Sequence, residues 1–210
     1  AILSTRVAIE TGLDGIERHY RVTNLARTQL LLLKRAIRHD VKLINYVTWN
    51  DFPEGHHLAP EASHNFGPSL LLRHFKRRWK SGKEDILQDE AIVFFKKYRH
   101  DAKPKYPVEL KVKSRNRNLA GEDRIELVTL LKKPARCTLN GKSLGMVGQG
   151  LRVHSIPSEP GPVRVLVVRE GKQVIRFKTP LAISNSPLRT DRLTYSYSSS
   201  FEDEYRKLFD

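Results

Sequence analysis

Residues 41–60 read VKLINYVTWNDFPEGHHLAP, and the rest of the chain is organised around them. Val41, Leu43, Ile44, Tyr46 and Val47 form a short apolar run, partly β-branched or aromatic, with Asp40 before it and Asn50-Asp51 after it. Such a run, bounded in this way, favours a strand over a helix. A strand apolar on both faces belongs in a covered, parallel sheet. The second half changes abruptly. Thr48 to His57 gather an aromatic ring, an amide, two carboxylates and two imidazoles. Pro53 and Gly55 forbid regular structure there. Chemistry in parallel α/β folds sits at the carboxyl ends of strands, so the end of a Val41–Thr48 strand is the expected site.

Asp51 and Glu54 stand three residues apart on this constrained turn. That spacing can point both carboxyls into one cleft. Cleaving a glycosidic bond needs such a pair: one carboxyl protonates the leaving oxygen, and the other activates water or attacks the sugar. Trp49 offers a flat face for a sugar ring, and Asn50, His56 and His57 offer donors for hydroxyls. The same Asp and Asn equally suit a turn or a helix N-cap.

TWNDFPEGHH resembles the TWND-x-x-E segment of glycoside hydrolase family 71, the endo-α-1,3-glucanases or mutanases. EASHNFGPSLLLRHFKRRWK is similar to the helix after that family's last barrel strand, and AIVFFKKYRHDAKP to the strand opening its C-terminal domain. TLLKKPARCTLNG, GPVRVLVVREGKQV and PLRTDRLTYSYSSSFEDEY resemble the β-domain and tail of bacterial members. Fungal members usually carry Tyr-Gly between the two carboxylates, where this chain has Phe52 and Pro53. The resemblance implies hydrolysis of α-1,3-glucan with inversion and places the family's carboxylates on Asp51 and Glu54. The higher intrinsic pKa of a Glu side chain favours Glu54 as the acid, with Asp51 as the alternative. The implied fold is a (β/α)₈ TIM barrel followed by an antiparallel β-sandwich.

A barrel of that kind takes about 250 residues and a sandwich roughly 100 more, against 210 here. The expectation is therefore the last βα units of a barrel over residues 1–82, a β-sandwich over 83–184 and a tail with a short helix over 185–210. The missing N-terminal barrel portion of the same protein is an expected partner, and the isolated chain is expected to be a poor catalyst. An export signal is expected upstream, with an extracellular or periplasmic location.

An apolar content of 39% is enough for a real core, and no apolar run is long enough to span a membrane. Cys137 is the single cysteine, which excludes an intrachain disulfide. The net charge of +15 favours polyanions, but the Lys and Arg are spread along the chain, densest at Arg73–Lys80 and Lys111–Arg117, as on a basic solvated surface. Two other readings follow: a carbohydrate-binding or structural β-domain, and a nucleic-acid-binding protein argued from charge alone. The spacing of His56, His57 and His64 matches no standard zinc signature and no Cys lies near, so no metal is expected. With no P-loop, dinucleotide fingerprint or serine elbow in the chain, neither is a cofactor.

Ile2 to Ile9 alternates weakly, as a strand does, and Thr11 to Gly15 reads as a loop in which Asp14 is a candidate substrate contact. Leu25 to His39 keeps helical spacing, with Thr23 or Asn24 to cap its start. Pro68 to Trp79 is a second helix, with Leu71, Leu72, Phe75 and Trp79 inward, stopped by Ser81-Gly82. After a charged link at Lys83–Glu90 the pattern turns to strands: Ile92–Phe95, Val108–Val112, Arg124–Leu131, Arg136–Leu139, Leu151–Ile156, Val163–Arg169 and Gln173–Lys178. Asn140-Gly141 and Glu170-Gly171 sit between strands as hairpin turns. Short strands at this spacing predict an antiparallel sandwich. Ser184 to Ser200 is too polar to fold alone and is expected to lie across another surface, held by Tyr195 and Tyr197, ahead of a short helix at Phe201–Phe209.

Overall fold

The computed structural model describes residues 2–3, 7–12, 15–51, 57–107, 110–112, 118–201 and 207. Residues 90–198 supply two four-stranded antiparallel sheets packed face to face. The strands are β5 (Glu90–Lys96), β7 (Arg124–Leu131), β8 (Ala135–Leu139), β9 (Lys142–Val147), β10 (Gly150–Pro157), β11 (Gly161–Arg169), β12 (Lys172–Ile183) and β13 (Thr194–Ser198). One sheet runs β10-β7-β5-β13 and the other β12-β11-β8-β9. Between them lie Val93, Phe95, Leu127, Leu131, Cys137, Leu139, Val165, Val167, Phe177 and Tyr197, all buried.

The N-terminal part begins with β1 (Ile2–Leu3) and a hairpin of β2 (Val7–Gly12) and β3 (Gly15–Tyr20). Helix α1 (Arg27–Arg38), β4 (Asn45–Tyr46) and helix α2 (Gly67–Ser81) follow. β1 and β4 pair in parallel, Ile2 with Asn45 and Leu3 with Tyr46. β6 (Leu110–Val112) leaves the sandwich and pairs in parallel with β3.

The two helices close over the outer face of the first sheet. Strand β5 makes the joint, because side chains alternate across a strand. Ala91, Val93 and Phe95 point into the sandwich, while Ile92 and Phe94 point out against Leu30, Leu33, Leu70, Leu71 and Phe75 of the helices. An antiparallel sheet usually keeps one face in water and reads as alternating. This one is covered on both faces, and every residue of β5 is buried. The continuous Ile-Val-Phe-Phe run follows from that cover.

Both helices end as their sequences direct. Gly82 sits at φ 69° and donates to Arg78 O at 2.9 Å, the left-handed stop that glycine accepts without strain. At the end of α1, Asp40 adopts φ 46°, its N–H meets Ile37 O at 3.1 Å, and Val41 N–H meets Ala36 O at 3.2 Å. This is a Schellman cap, and it corrects the expected Val41–Thr48 strand. Val41 is spent on closing the helix, Leu43 is 76% exposed, and only Asn45–Tyr46 pairs. The start of α1 also departs from expectation. Neither Thr23 nor Asn24 caps it by its side chain; Ala26 N–H instead donates to the carboxylate of Glu126 on β7 at 3.2 Å.

Three strands go beyond the expected set: β3, β9 and β13. β9 follows the Asn140-Gly141 turn and pairs with β8. β13 brings the polar segment TYSYS into the first sheet beside β5, so Tyr195 and Tyr197 are held within a sheet and not merely laid across one. Thr11–Gly15, expected as a loop, spans the end of β2 and the start of β3, with residues 13–14 outside the described set. The expected C-terminal helix lies largely outside it as well.

Candidate active site

The loop carrying the predicted site is closed at its base. Leu58 N–H donates to Thr48 O at 3.0 Å, and Ala59 N–H to Trp49 O at 2.8 Å. The Ser69 hydroxyl, in the first turn of α2, donates to Leu58 O at 2.9 Å. The loop therefore leaves and returns at one point on the helix layer, as compact loops with close ends do. Trp49, Asn50 and Asp51 stand exposed on its outgoing limb, Trp49 by 62%. An indole left that open presents its apolar face to a flat partner. Glu54 and His56 fall in 52–56, outside the described residues, as does Asp14.

His57 ends the loop and turns inward. It is buried, and its ring centroid lies 4.5 Å from that of His64. His64 belongs to a tight turn in which Asn65 N–H donates to Glu61 O at 2.8 Å. The last strand rests on this turn: Ser196 N–H donates to Ser63 O at 2.9 Å, and the Ser196 hydroxyl donates to His64 O. Gly67 makes the approach possible. A Cβ on it would meet Ser196 Cβ at 2.7 Å and Phe94 Cε1 at 3.0 Å.

Elsewhere a buried polar cluster ties distant parts of the chain together. Glu122, with no exposed surface, accepts from the Tyr20 hydroxyl at 2.6 Å, Thr23 N–H at 3.0 Å, Asn24 N–H at 3.0 Å and Arg192 Nη2 at 3.0 Å. Lys96 Nζ donates to Arg192 O at 2.7 Å and to Thr194 Oγ1 at 3.0 Å. Burial works against the charge of Glu122, but Lys96, the Tyr20 hydroxyl and Arg192 outweigh it and hold the carboxyl below its usual range. Burial likewise pushes the Lys96 ammonium down to about 8, although Glu122 favours its charge.

The sequence profile of glycosyl hydrolase family 71 matches residues 19–200. The chain belongs to glycosyl hydrolase family 71. No curated protein and no solved structure matches it. The family 71 match runs from β3 to the end of β13, so it takes in the Trp49–Asp51 loop, both helices and both sheets. Family 71 chemistry is the hydrolysis of glycosidic bonds, and the substrate class of this chain is polysaccharide. Among the described residues no helix is long and apolar enough to cross a membrane.

Sequence reasoning missed two groups. Glu61 belongs to no motif in the sequence, yet it shares the turn with His64 and lies close to His57. Lys96 and Glu122 are 26 positions apart with no pattern joining them, and only the fold brings Nζ within 3.6 Å of Oε1. No local signal could have paired them.

Proposed function

We propose that this family 71 chain serves hydrolysis of α-1,3-glucan, with Asp51 and Glu54 as the acid and base of an inverting reaction. Inversion requires carboxyls about 6.5–9.5 Å apart, so that a water fits between the base and the sugar. Glu54 protonates the leaving oxygen and Asp51 activates the water. Trp49 packs against a sugar ring, and Asn50 and His56 bond its hydroxyls. The observation that carries this reading is the exposed Trp49-Asn50-Asp51 limb of a loop fastened at its base. A pinned loop holds catalytic groups in place without blocking a polymer, and positioning supplies much of catalysis.

Residues 1–82 are proposed to contribute βα units to a (β/α)₈ barrel. In support, β1 and β4 are parallel and separated in sequence by α1, and α2 follows β4. Leu33, Ile37, Ile44, Tyr46, Leu72, Phe75 and Trp79 also line an apolar cleft between these elements. The expected 83–184 sandwich and 185–210 tail complete the proposed division, with β13 of the tail joining the first sheet, and the protein works outside the cell, where such polymers are met.

The test is a substrate panel. The protein carrying this chain is incubated with α-1,3-glucan, α-1,4-glucan and β-1,3-glucan, reducing ends are counted, and the first product anomer is read by proton NMR. Release from α-1,3-glucan alone, with the β-anomer formed first, supports the proposal. Equal release from the other glucans removes the substrate assignment, and an α-anomer removes inversion.

A further inference from the structure

We infer that His57, Glu61 and His64 form a binding site for a divalent transition-metal ion of the zinc class, which fastens the returning limb of the Trp49–Asp51 loop to the turn beneath it. One nitrogen of each histidine and one oxygen of Glu61 all lie within 4.8 Å of one another. The set differs from the three-histidine pattern considered in the sequence, because Glu61 takes the place of His56. Two imidazoles and one carboxylate are a donor set that zinc accepts, with a fourth position left for water.

His64 carries the argument. Its side chain is 5% exposed. Nδ1 lies 3.0 Å from the Asn65 carbonyl oxygen, to which it donates its hydrogen. That assigns the lone pair to Nε2, and Nε2 is buried with no hydrogen-bond partner. A buried acceptor left without a donor is costly, and a metal ion is one group that would satisfy it. Metal-bound histidines almost always donate their other ring N–H to a carbonyl or carboxylate, and His64 already does so.

Glu61 Oε1 stands 4.0 Å from His64 Nε2. Ligand atoms on a tetrahedral zinc with bonds near 2.0–2.1 Å are about 3.3 Å apart. Glu61 is partly exposed, so a change of its rotamer closes that difference without moving the backbone. The second histidine-and-carboxylate cluster of the described residues, His100, Asp101 and Asp123, is different: His100 Nδ1 is already bonded to Asp123 Oδ2 at 2.6 Å.

The proposal does not depend on the hydrolase chemistry and is tested without substrate. Untagged protein is stripped with a chelator and titrated with zinc by calorimetry, and cobalt is added separately to read the tetrahedral absorption bands. One zinc per chain is expected, together with a higher Tm in the presence of zinc. Glu61→Gln and His64→Ala should each weaken binding by at least about tenfold, while His100→Ala should leave it unchanged. Glu61 is on the surface side of the turn, so Glu61→Gln remains informative if His64→Ala fails to fold. A stripped wild type that takes up no zinc, or an unchanged affinity in Glu61→Gln, overturns the site.

Discussion

Lys96 Nζ lies 3.6 Å from Glu122 Oε1, and neither side chain is more than 2% exposed. Around this pair meet Tyr20 at the end of the first hairpin, Thr23 before α1, and Arg192 and Thr194 at the last strand. The end of the first hairpin and the approach to α1 are thus fastened to the sandwich side of the chain through one buried carboxylate. Breaking such a pair from one side leaves an uncompensated charge and costs about 3–5 kcal/mol. Glu122→Gln strands both Lys96 and Arg192, whereas Lys96→Met leaves Glu122 with Arg192. Urea denaturation should therefore show the larger loss for Glu122→Gln. Equal stabilities for wild type and Glu122→Gln would contradict this account of the cluster.

The pair also sets a pH dependence. Lys96 is pushed down from 10.5 to about 8 in the folded protein. Between those values the unfolded chain holds a proton that the folded protein has released. Stability from Lys96 therefore rises with pH across that window and is flat below it. Glu122 acts in the opposite range. Its folded pKa lies below 4.5, so its contribution is complete above that value and is lost as pH falls through the folded pKa. The stability gap between wild type and Lys96→Met should shift in favour of wild type from pH 8 to 10, and the gap to Glu122→Gln should shrink below about pH 4.5. Gaps that do not change with pH would contradict both assignments.

Gly67 is fixed by the neighbour it meets. A methyl group there runs into Ser196 on β13 and the Phe94 ring on β5. Gly67→Ala should cost about 1–3 kcal/mol, the usual range for overpacking. Ser196→Gly in the same chain removes the nearest obstacle and should recover part of that loss. Thermal unfolding of wild type and the two variants measures both effects, and an unaffected Gly67→Ala would mean the strand and helix do not approach so closely.

The two cores predict a separable effect on the one strand they share. Phe94 faces the helices and Phe95 the sandwich. Phe94→Ala and Phe95→Ala should each cost about 3–5 kcal/mol. Only Phe94→Ala should speed amide exchange in α1 and α2 well beyond its effect on β11 and β12. Identical exchange patterns would show that the helices are not a separate layer.

Features written in neighbouring residues were legible in the sequence. Asn140-Gly141 and Glu170-Gly171 both take positive φ at each residue, the conformation their position between strands predicts. Gly82 ends α2 for the same local reason. Features set by distant partners were not legible. β9 was missed because Gly145 breaks its alternation and most of its residues face solvent. β13 was missed because Ser196 and Ser198 look like surface residues, and only the helices and the Ser63–His64 turn bury them. The apolar run at Val41 promised a long strand, but a helix cap consumed its start. The aromatic, amide and carboxylate of the proposed site were legible as residue types, since Trp49, Asn50 and Asp51 do stand together on an exposed limb. The inward turn of His57 towards Glu61 and His64 was not, because it depends on how the loop returns.

The most direct test of the central claim is the activity of two isosteric variants. Asp51→Asn and Glu54→Gln keep size and polarity but cannot transfer a proton as a carboxyl does. Each is made in the protein carrying this chain, its fold is checked by circular dichroism and thermal unfolding, and reducing-sugar release from α-1,3-glucan is measured beside wild type. General acid–base groups contribute about 10²–10⁴-fold, so each variant should lose at least about a hundredfold in kcat with its Tm unchanged. A folded variant that releases sugar at the wild-type rate would contradict the catalytic role of that residue.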